Sequence, residues 1–296
     1  MRVLELAAQL RDLTGFEEEW IAGEAAAARG VAAACHELLA RCLGRPGNPP
    51  PKRRGEVCAL GLAERDWLLL ELRRRSLGGR LRSEVRCPAC GSSAEVEFSV
   101  GDLPLQPVEP PPNREVRLPG GGSAVLRPLT AADHEAFAAE RRLDAASRTL
   151  AALSRVIVSL DSKGLNDAKE WKVSRHSKPA GAAELTNLSP EDLAALEQAL
   201  DAASPEELRL DLRCPDCAQP LAAPFEVCSF VFAELRQHSA TLLDDVHALA
   251  RAYHWSERDI LRLPLRRRLA YLMRIEAEQD AALVRAGEAR AGELVS

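Results

Sequence analysis

Two short stretches of this chain read almost the same, Val85-Arg86-Cys87-Pro88-Ala89-Cys90 and Leu212-Arg213-Cys214-Pro215-Asp216-Cys217. Each is a C-P-x-C turn entered and left by alternating apolar and polar residues. The exits carry Val96, Phe98 and Val100 in the first and Phe225 and Val227 in the second. Two thiolates separated by two residues can face one metal ion, because the tight turn brings the sulfurs together and the proline stiffens it. Two such turns supply the four sulfurs of a closed, tetrahedral zinc site. Cys90 and Cys214 are 124 positions apart, so Cys87, Cys90, Cys214 and Cys217 would staple two distant parts of one fold. Two other uses of the pairs stay open: a redox C-x-x-C, and two independent turns with free thiols. Redox pairs usually sit where a strand meets a helix whose N-terminus lowers the thiol pKa, whereas strands are expected on both sides of both turns here.

A chain of 296 residues can bury a full core and has room for two domains. Only 4% of residues are aromatic, so leucine and alanine must fill most of that core. The formal charge of −5 and a pI near 5.8 give no global electrostatic case for binding nucleic acid or anionic lipid. The local basic runs Arg73-Arg74-Arg75 and Arg266-Arg267-Arg268 lie on expected helices among leucines and read as solvated faces. Glu5, Arg11 and Asp12 interrupt the only apolar stretch near the N-terminus, so no signal peptide is expected. No run reaches the length of a membrane span. Eight cysteines, four of them in metal-like pairs, suit a reducing cytoplasm better than a secreted disulfide framework. Cys35, Cys42, Cys58 and Cys228 lack ligand spacing and read as small buried apolar residues.

Taken in order, the chain opens with a strand-like run. Thr14 with Glu17 three residues on then forms a capping box, in which side chains satisfy the first free amides of a helix. Helical segments reach Leu43 with a break at Gly30, and the proline-rich run Gly44 to Pro51 reads as a loop. Glu64 to Arg73 is a strong helix; Ser76 to Gly79 stops it and a strand leads into Cys87. Pro104 to Pro112 reads as an extended linker. Beyond it Leu126-Arg127-Pro128-Leu129-Thr130-Ala131-Ala132-Asp133 echoes Leu10 to Glu17, again with an acid three residues after a threonine. Ser189-Pro190 starts another helix, and a strand leads into Cys214.

The matched order predicts an α+β fold of two tandem copies of a small strand-helix-helix-strand-knuckle unit sharing the four-cysteine zinc site, followed by a helical region. The boundaries expected are 1–105 for the first copy, 106–113 for the linker, 114–232 for the second and 233–296 for the C-terminal helices. Within the second copy, 156–188 holds four of the chain's five lysines and reads as a mobile surface insertion. Leu235, Leu242, Leu243, Val246, Leu249 and Tyr253 form a helical stripe, Leu265 to Ile275 form a last helix, and the tail after Glu276 is expected to fray. Trp67, Leu68, Leu70 and Leu72 cannot all face one core on a single helix, which leaves apolar area for another element of the chain or for a partner. Trp67 and Arg73 to Arg75 are the candidate anchors of a partner, with packing inside the chain the first use expected of Trp67.

The usual catalytic signatures are missing. There is no phosphate-binding G-x-x-x-x-G-K, no nucleophile elbow and no histidine pair spaced for a catalytic metal. Gly120 to Gly122 reads as a hairpin turn, and His247 and His254 as packed or solvated residues. A zinc site of four cysteines has no open position for a substrate. These features point away from an enzyme.

Leu13-Thr14-Gly15-Phe16-Glu17-Glu18-Glu19, a helix pair reaching Cys42, and the segment Asp66 to Gly78 followed by a cysteine knuckle resemble the T-even phage baseplate proteins. These are the hub assembly chaperone family also encoded by contractile injection system clusters. The resemblance is clearest over 1–105 and rests on the order of its motifs. It implies a non-enzymatic structural or chaperone-like protein of a contractile tail baseplate, with other baseplate or hub proteins as partners and no nucleic acid, membrane or small-molecule substrate. Such a protein is cytoplasmic or built into the particle. The second cysteine-bearing copy and the lysine-rich insertion depart from shorter members. Two readings from other classes stand beside it: a zinc-ribbon adaptor for nucleic acid or another protein, and a C-P-x-C thiol oxidoreductase.

Overall fold

Val3, Leu6, Ala7 and Leu10 are all buried, and a spacing of three and four residues belongs to one face of a helix. In the computed structural model, which describes residues 2–46, 51–107, 109–140, 142–161, 185–203 and 208–293, the chain accordingly opens with helix α1 (Arg2–Gln9). The strand expected there is not found; the alternation was too short to distinguish the two periods.

Helices α2 (Gly15–Ala22), α3 (Glu24–Ala28), α4 (Val31–Cys42), α5 (Pro51–Cys58) and α6 (Leu62–Leu77) follow. The break at Gly30 is real, with φ +78°. Of the expected loop, 47–50 lie outside the described residues, and Pro51 begins α5, at the helix position where a missing amide proton is harmless. The hairpin β1 (Arg80–Arg86) and β2 (Ser93–Ser99) comes next. Between Asp102 and Arg114 the described residues form no helix or strand, as the linker requires.

After the linker come β3 (Arg114–Leu118), β4 (Gly122–Leu126), α7 (Ala131–Ala139), α8 (Ala145–Val156) and β5 (Ile157–Asp161). The three strands make one antiparallel sheet in the order β3-β4-β5, and Gly121 turns the first hairpin at φ +90°. Helix α9 (Pro190–Ala203), hairpin β6 (Arg209–Arg213) and β7 (Pro220–Pro224), then α10 (Val227–Ser239), α11 (Leu242–Tyr253), α12 (Glu257–Arg262) and α13 (Leu265–Glu293) complete the chain.

Two apolar clusters organise these elements. The first joins α1, α2, α4 and α6 to Phe225, to Val231, Phe232 and Leu235 of α10, and to Leu265. The second packs Leu126 of β4 and Ile157 of β5 against Leu153 of α8 and Leu196 of α9. Leu185 and Leu188 are buried in that second cluster. The part of the expected insertion that flanks 162–184 is therefore core and strand, not surface loop; 162–184 and its four lysines lie outside the described residues.

The two threonine motifs fold alike. Glu17 Oε2 accepts from the amide and hydroxyl of Thr14, and Arg11 grips both oxygens of Glu17 at 2.8 and 2.7 Å. Asp133 Oδ2 does the same for Thr130, and Arg127 grips both oxygens of Asp133 at 2.6 and 2.8 Å. Burial works against the Asp133 carboxylate, but Arg127 and the Thr130 groups outweigh it and hold its pKa below the usual range. Each motif also makes a one-residue antiparallel bridge to the start of a long helix, Thr14 to Pro264 before α13 and Thr130 to Gly61 before α6. Four residues beyond each bridge an arginine crosses over: Arg268 donates to both Glu18 oxygens at 2.6 Å, and Arg65 donates to His134 Nδ1 at 2.6 Å. At the first joint Leu261 of α12 lies so close that a Cβ on Gly15 would sit 2.9 Å from its backbone.

The larger duplication does not follow from the order of elements. The sheet β3-β4-β5 has no counterpart near the N-terminus, and in the joints α13, not α9, takes the place of α6. Neither arginine run is a solvated face throughout. Arg73 is buried against Glu234 at 2.8 and 2.6 Å, Arg75 reaches Leu10 O and Glu71, and Arg268 is fully buried between Glu18 and Asp245. Leu68, Leu69, Leu70 and Leu72 are all buried and Trp67 packs on the same cluster. The apolar residues of α6 are thus taken up by other elements of the chain, the first of the two uses expected for them. The tail after Glu276 continues α13 to Glu293.

Removing one partner of a buried ion pair leaves the other charge stranded. Arg268→Ala is expected to cost about 3–5 kcal/mol in chemical denaturation, whereas Arg266→Ala, at an exposed position of the same run, changes stability by no more than about 0.5 kcal/mol. Equal effects would mean that Arg268 is not the buried member.

Candidate metal centre

Strand pairing in β1-β2 ends at Arg86 and Ser93, which leaves residues 87–92 as the hairpin loop. In β6-β7 it ends at Arg213 and Pro220 and leaves 214–219. The two loops have the same length and the same internal bonds. Cys87 N donates to Ser92 O and Gly91 N to Cys87 O; Cys214 N donates to Gln219 O and Ala218 N to Cys214 O, all between 2.8 and 3.0 Å. The residue after the second cysteine takes positive φ in both, Gly91 at +76° and Ala218 at +58°. The repeated C-P-x-C sequence therefore specifies one turn twice.

The hairpins belong to separate two-stranded sheets, yet their tips meet. Cys87 Sγ lies 3.7 Å from Cys217 Sγ, and Cys90 Sγ lies 3.7 Å from Cys214 Sγ. All four sulfurs are within 4.8 Å of one another. The first cysteine of each pair is buried, while Cys90 is exposed and Cys217 half-buried. Behind the tips, Phe98 of β2 meets Phe225 edge-on with ring centres 5.5 Å apart, so the hairpins also share an apolar contact with the first core.

Sulfurs bound about 2.3 Å from one tetrahedral ion lie about 3.8 Å apart. The observed separations match, and all eight cysteines are free thiols. A soft, all-sulfur donor set selects zinc-like metals over oxygen-seeking ones. The backbone amide of Cys217 and then the Ser92 hydroxyl pull the Cys214 thiol down to about 6. The Gln219 amide favours the Cys217 thiolate as well, but desolvation and the three neighbouring sulfurs outweigh it and push that thiol up to about 12. Without a cation, charge on one sulfur opposes charge on the next.

Ser92 is the residue that sequence reading passed over. Its hydroxyl lies 3.0 Å from Cys90 Sγ and 3.6 Å from Cys214 Sγ, bridging the two hairpins. Its carbonyl also closes the first turn, and nothing in a lone serine two residues past a C-P-x-C signals either role. His247 and His254 are exposed and belong to neither group of clustered metal-ligating side chains found among the described residues.

The family described as T4 bacteriophage base plate protein matches residues 9–226. The match spans both cysteine pairs and most of the chain, and the protein belongs to that family. No curated protein and no solved structure matches it.

A left-handed residue with a side chain costs about 1 kcal/mol relative to glycine. Ala218→Gly should therefore raise stability by about 1 kcal/mol and Gly91→Ala lower it by a similar amount, both read from urea denaturation of the metal-loaded protein. Opposite signs at the two positions are the expected result, and like signs would show that the turns differ.

Proposed function

We propose that this protein is a non-enzymatic structural or chaperone-like component of the baseplate of a phage-tail-like contractile machine. In this reading Cys87, Cys90, Cys214 and Cys217 hold one structural zinc ion, and residues 1–105 and 114–232 are diverged copies of one unit. The observation that carries the reading is the family match over 9–226. The convergence of four sulfurs supports the zinc, and the likeness of the two threonine motifs, each bonded within its turn and bridged to the start of a long helix, supports the duplication. Bound zinc would supply charge compensation and a rigid cross-link between the hairpin tips, with all four positions filled by sulfur and none left for a substrate.

The partners proposed are other baseplate or hub proteins. Among the described residues no helix is long and apolar enough to cross a membrane, and the acidic balance of the chain disfavours nucleic acid. The protein works by holding a neighbour in place, in the cytoplasm during assembly or within the finished particle. The leucines of α6 are covered within the chain, which leaves the exposed Arg74 as what that helix offers a partner.

Metal binding to a site that does not exist in the unfolded chain adds directly to folding free energy. Cys87→Ser should lose one equivalent of zinc in elemental analysis of the reduced protein and several kcal/mol of stability; unchanged zinc content rules the four-sulfur site out. For the assembly role, deletion of the gene should abolish or sharply reduce assembled contractile particles counted by electron microscopy. Normal particle numbers after deletion would remove that role, and a small-molecule turnover lost with Cys87 would favour the oxidoreductase.

A further inference from the structure

A second group of metal-ligating side chains stands apart from the hairpins. His36 of α4, Cys58 of α5 and Glu135 of α7 place one donor atom each within 4.8 Å of one another. His36 is fully buried, and Cys58 and Glu135 are half-buried. His36 Nδ1 and Glu135 Oε2 are 3.2 Å apart, close to the roughly 3.3 Å expected for nitrogen and oxygen ligands about 2.0 Å from one tetrahedral ion. A hydrogen-bonded pair alone accounts for His36 and Glu135; the free, half-buried thiol of Cys58 beside them, read from the sequence only as a small apolar residue, is what turns the pair into a three-donor set.

We propose that His36, Cys58 and Glu135 form a second metal site, for a borderline divalent ion such as zinc, which ties α7 to α4 and α5 across the proline-rich linker. The mixed sulfur, nitrogen and oxygen set suits zinc-like ions and excludes magnesium and calcium, which avoid thiolate. Three protein ligands leave a fourth position on the half-open side formed by Cys58 and Glu135, where water completes the tetrahedron.

The cations around the site set its terms. Arg54 holds Glu135 Oε1 and Oε2 at 2.6 and 2.8 Å, and Arg65 Nη1 lies 3.5 Å from His36 Nε2. Arg54 has a second carboxylate in reach, Glu37 at 3.6 Å, so it can keep Glu135 Oε1 and release Oε2 to the metal. On binding, the Cys58 thiol gives its proton to solvent, and the imidazole binds through Nδ1 with its proton on Nε2. That tautomer gives up the 3.5 Å contact in which Arg65 Nη1 can donate to Nε2, while Arg65 keeps its shorter contacts to His134 at 2.6 Å and Asp66 at 2.7 Å. Glu135 is already a carboxylate, so binding a divalent ion with loss of the Cys58 proton adds one net positive charge, and Glu37, 3.6 Å from Arg54, is the further anion at hand to offset it.

The test is zinc content of the full-length, reduced protein after gel filtration. Cys58→Ser is expected to remove one equivalent and leave the four-sulfur equivalent in place, and Glu135→Gln to weaken the second equivalent at least about tenfold. In cobalt-loaded protein, Cys58→Ser should remove part of the thiolate-to-metal absorption. Both variants must show the wild-type circular dichroism spectrum and gel-filtration volume. Metal content and cobalt spectrum unchanged in folded Cys58→Ser overturn the proposal. Failure of the four-sulfur site reads out separately, as Cys87→Ser without metal loss while Cys58→Ser still loses its equivalent.

Discussion

A hairpin of two strands is marginal by itself in water, and this protein has two of them that share no sheet. Their alignment must come from contacts other than strand pairing. At the tips these are the four sulfurs and the Ser92 hydroxyl; at the bases they are Phe98, Phe225 and the neighbouring Phe230, whose ring centre is 4.9 Å from that of Phe225. The apolar base is continuous with the first core, but an edge-to-face ring pair contributes only about 0.5–1.5 kcal/mol beyond its buried area. The tip contact therefore decides whether the hairpins lie side by side, and it is made of thiols whose charges oppose one another without a cation.

The rest of the molecule is closed by the two joints at helix entries. Each pairs a threonine-capped short helix with the start of a long one, and each is crossed by an arginine four residues in. The first joint links residues 250 positions apart, so the C-terminal helices are locked onto the N-terminal ones through a fully buried charge pair. Burial dominates at Glu18 and pushes its pKa up in spite of Arg268. The same conflict is why loss of either partner is expected to be costly. The second joint has a histidine where the first has a glutamate, and there Asp66 supplies the carboxylate for Arg65.

What could be read from the sequence was local. The C-P-x-C turns, the threonine caps, the break at Gly30 and the turn at Gly121 each need only a few adjacent residues to specify them. The capping motifs were legible for the same reason, since Thr14 and Glu17 or Thr130 and Asp133 bond within one turn. Arginine burial was not legible. Arg73 and Arg268 sit in runs that look solvated, and the carboxylates that bury them lie 161 and 250 positions away. The leucines of α6 were half-legible: a helix apolar on several sides predicts cover from another element or a partner, and other helices of the same chain supply it.

The proposed metal centre and the family match bear on each other through position. The match ends at residue 226, the residue whose carboxylate caps α10 through the amides of Cys228 and Ser229. It thus contains both hairpins entire and stops where the chain re-enters the first core. The Thr14 joint, however, needs Pro264 and Arg268 from beyond that limit. The matched segment by itself would leave Glu18 buried with no arginine, and Leu13 O without the amide of Leu265 that it accepts. The C-terminal helices are accordingly part of the folded unit and not an appendage to it, because the entry of α2 is completed by the start of α13.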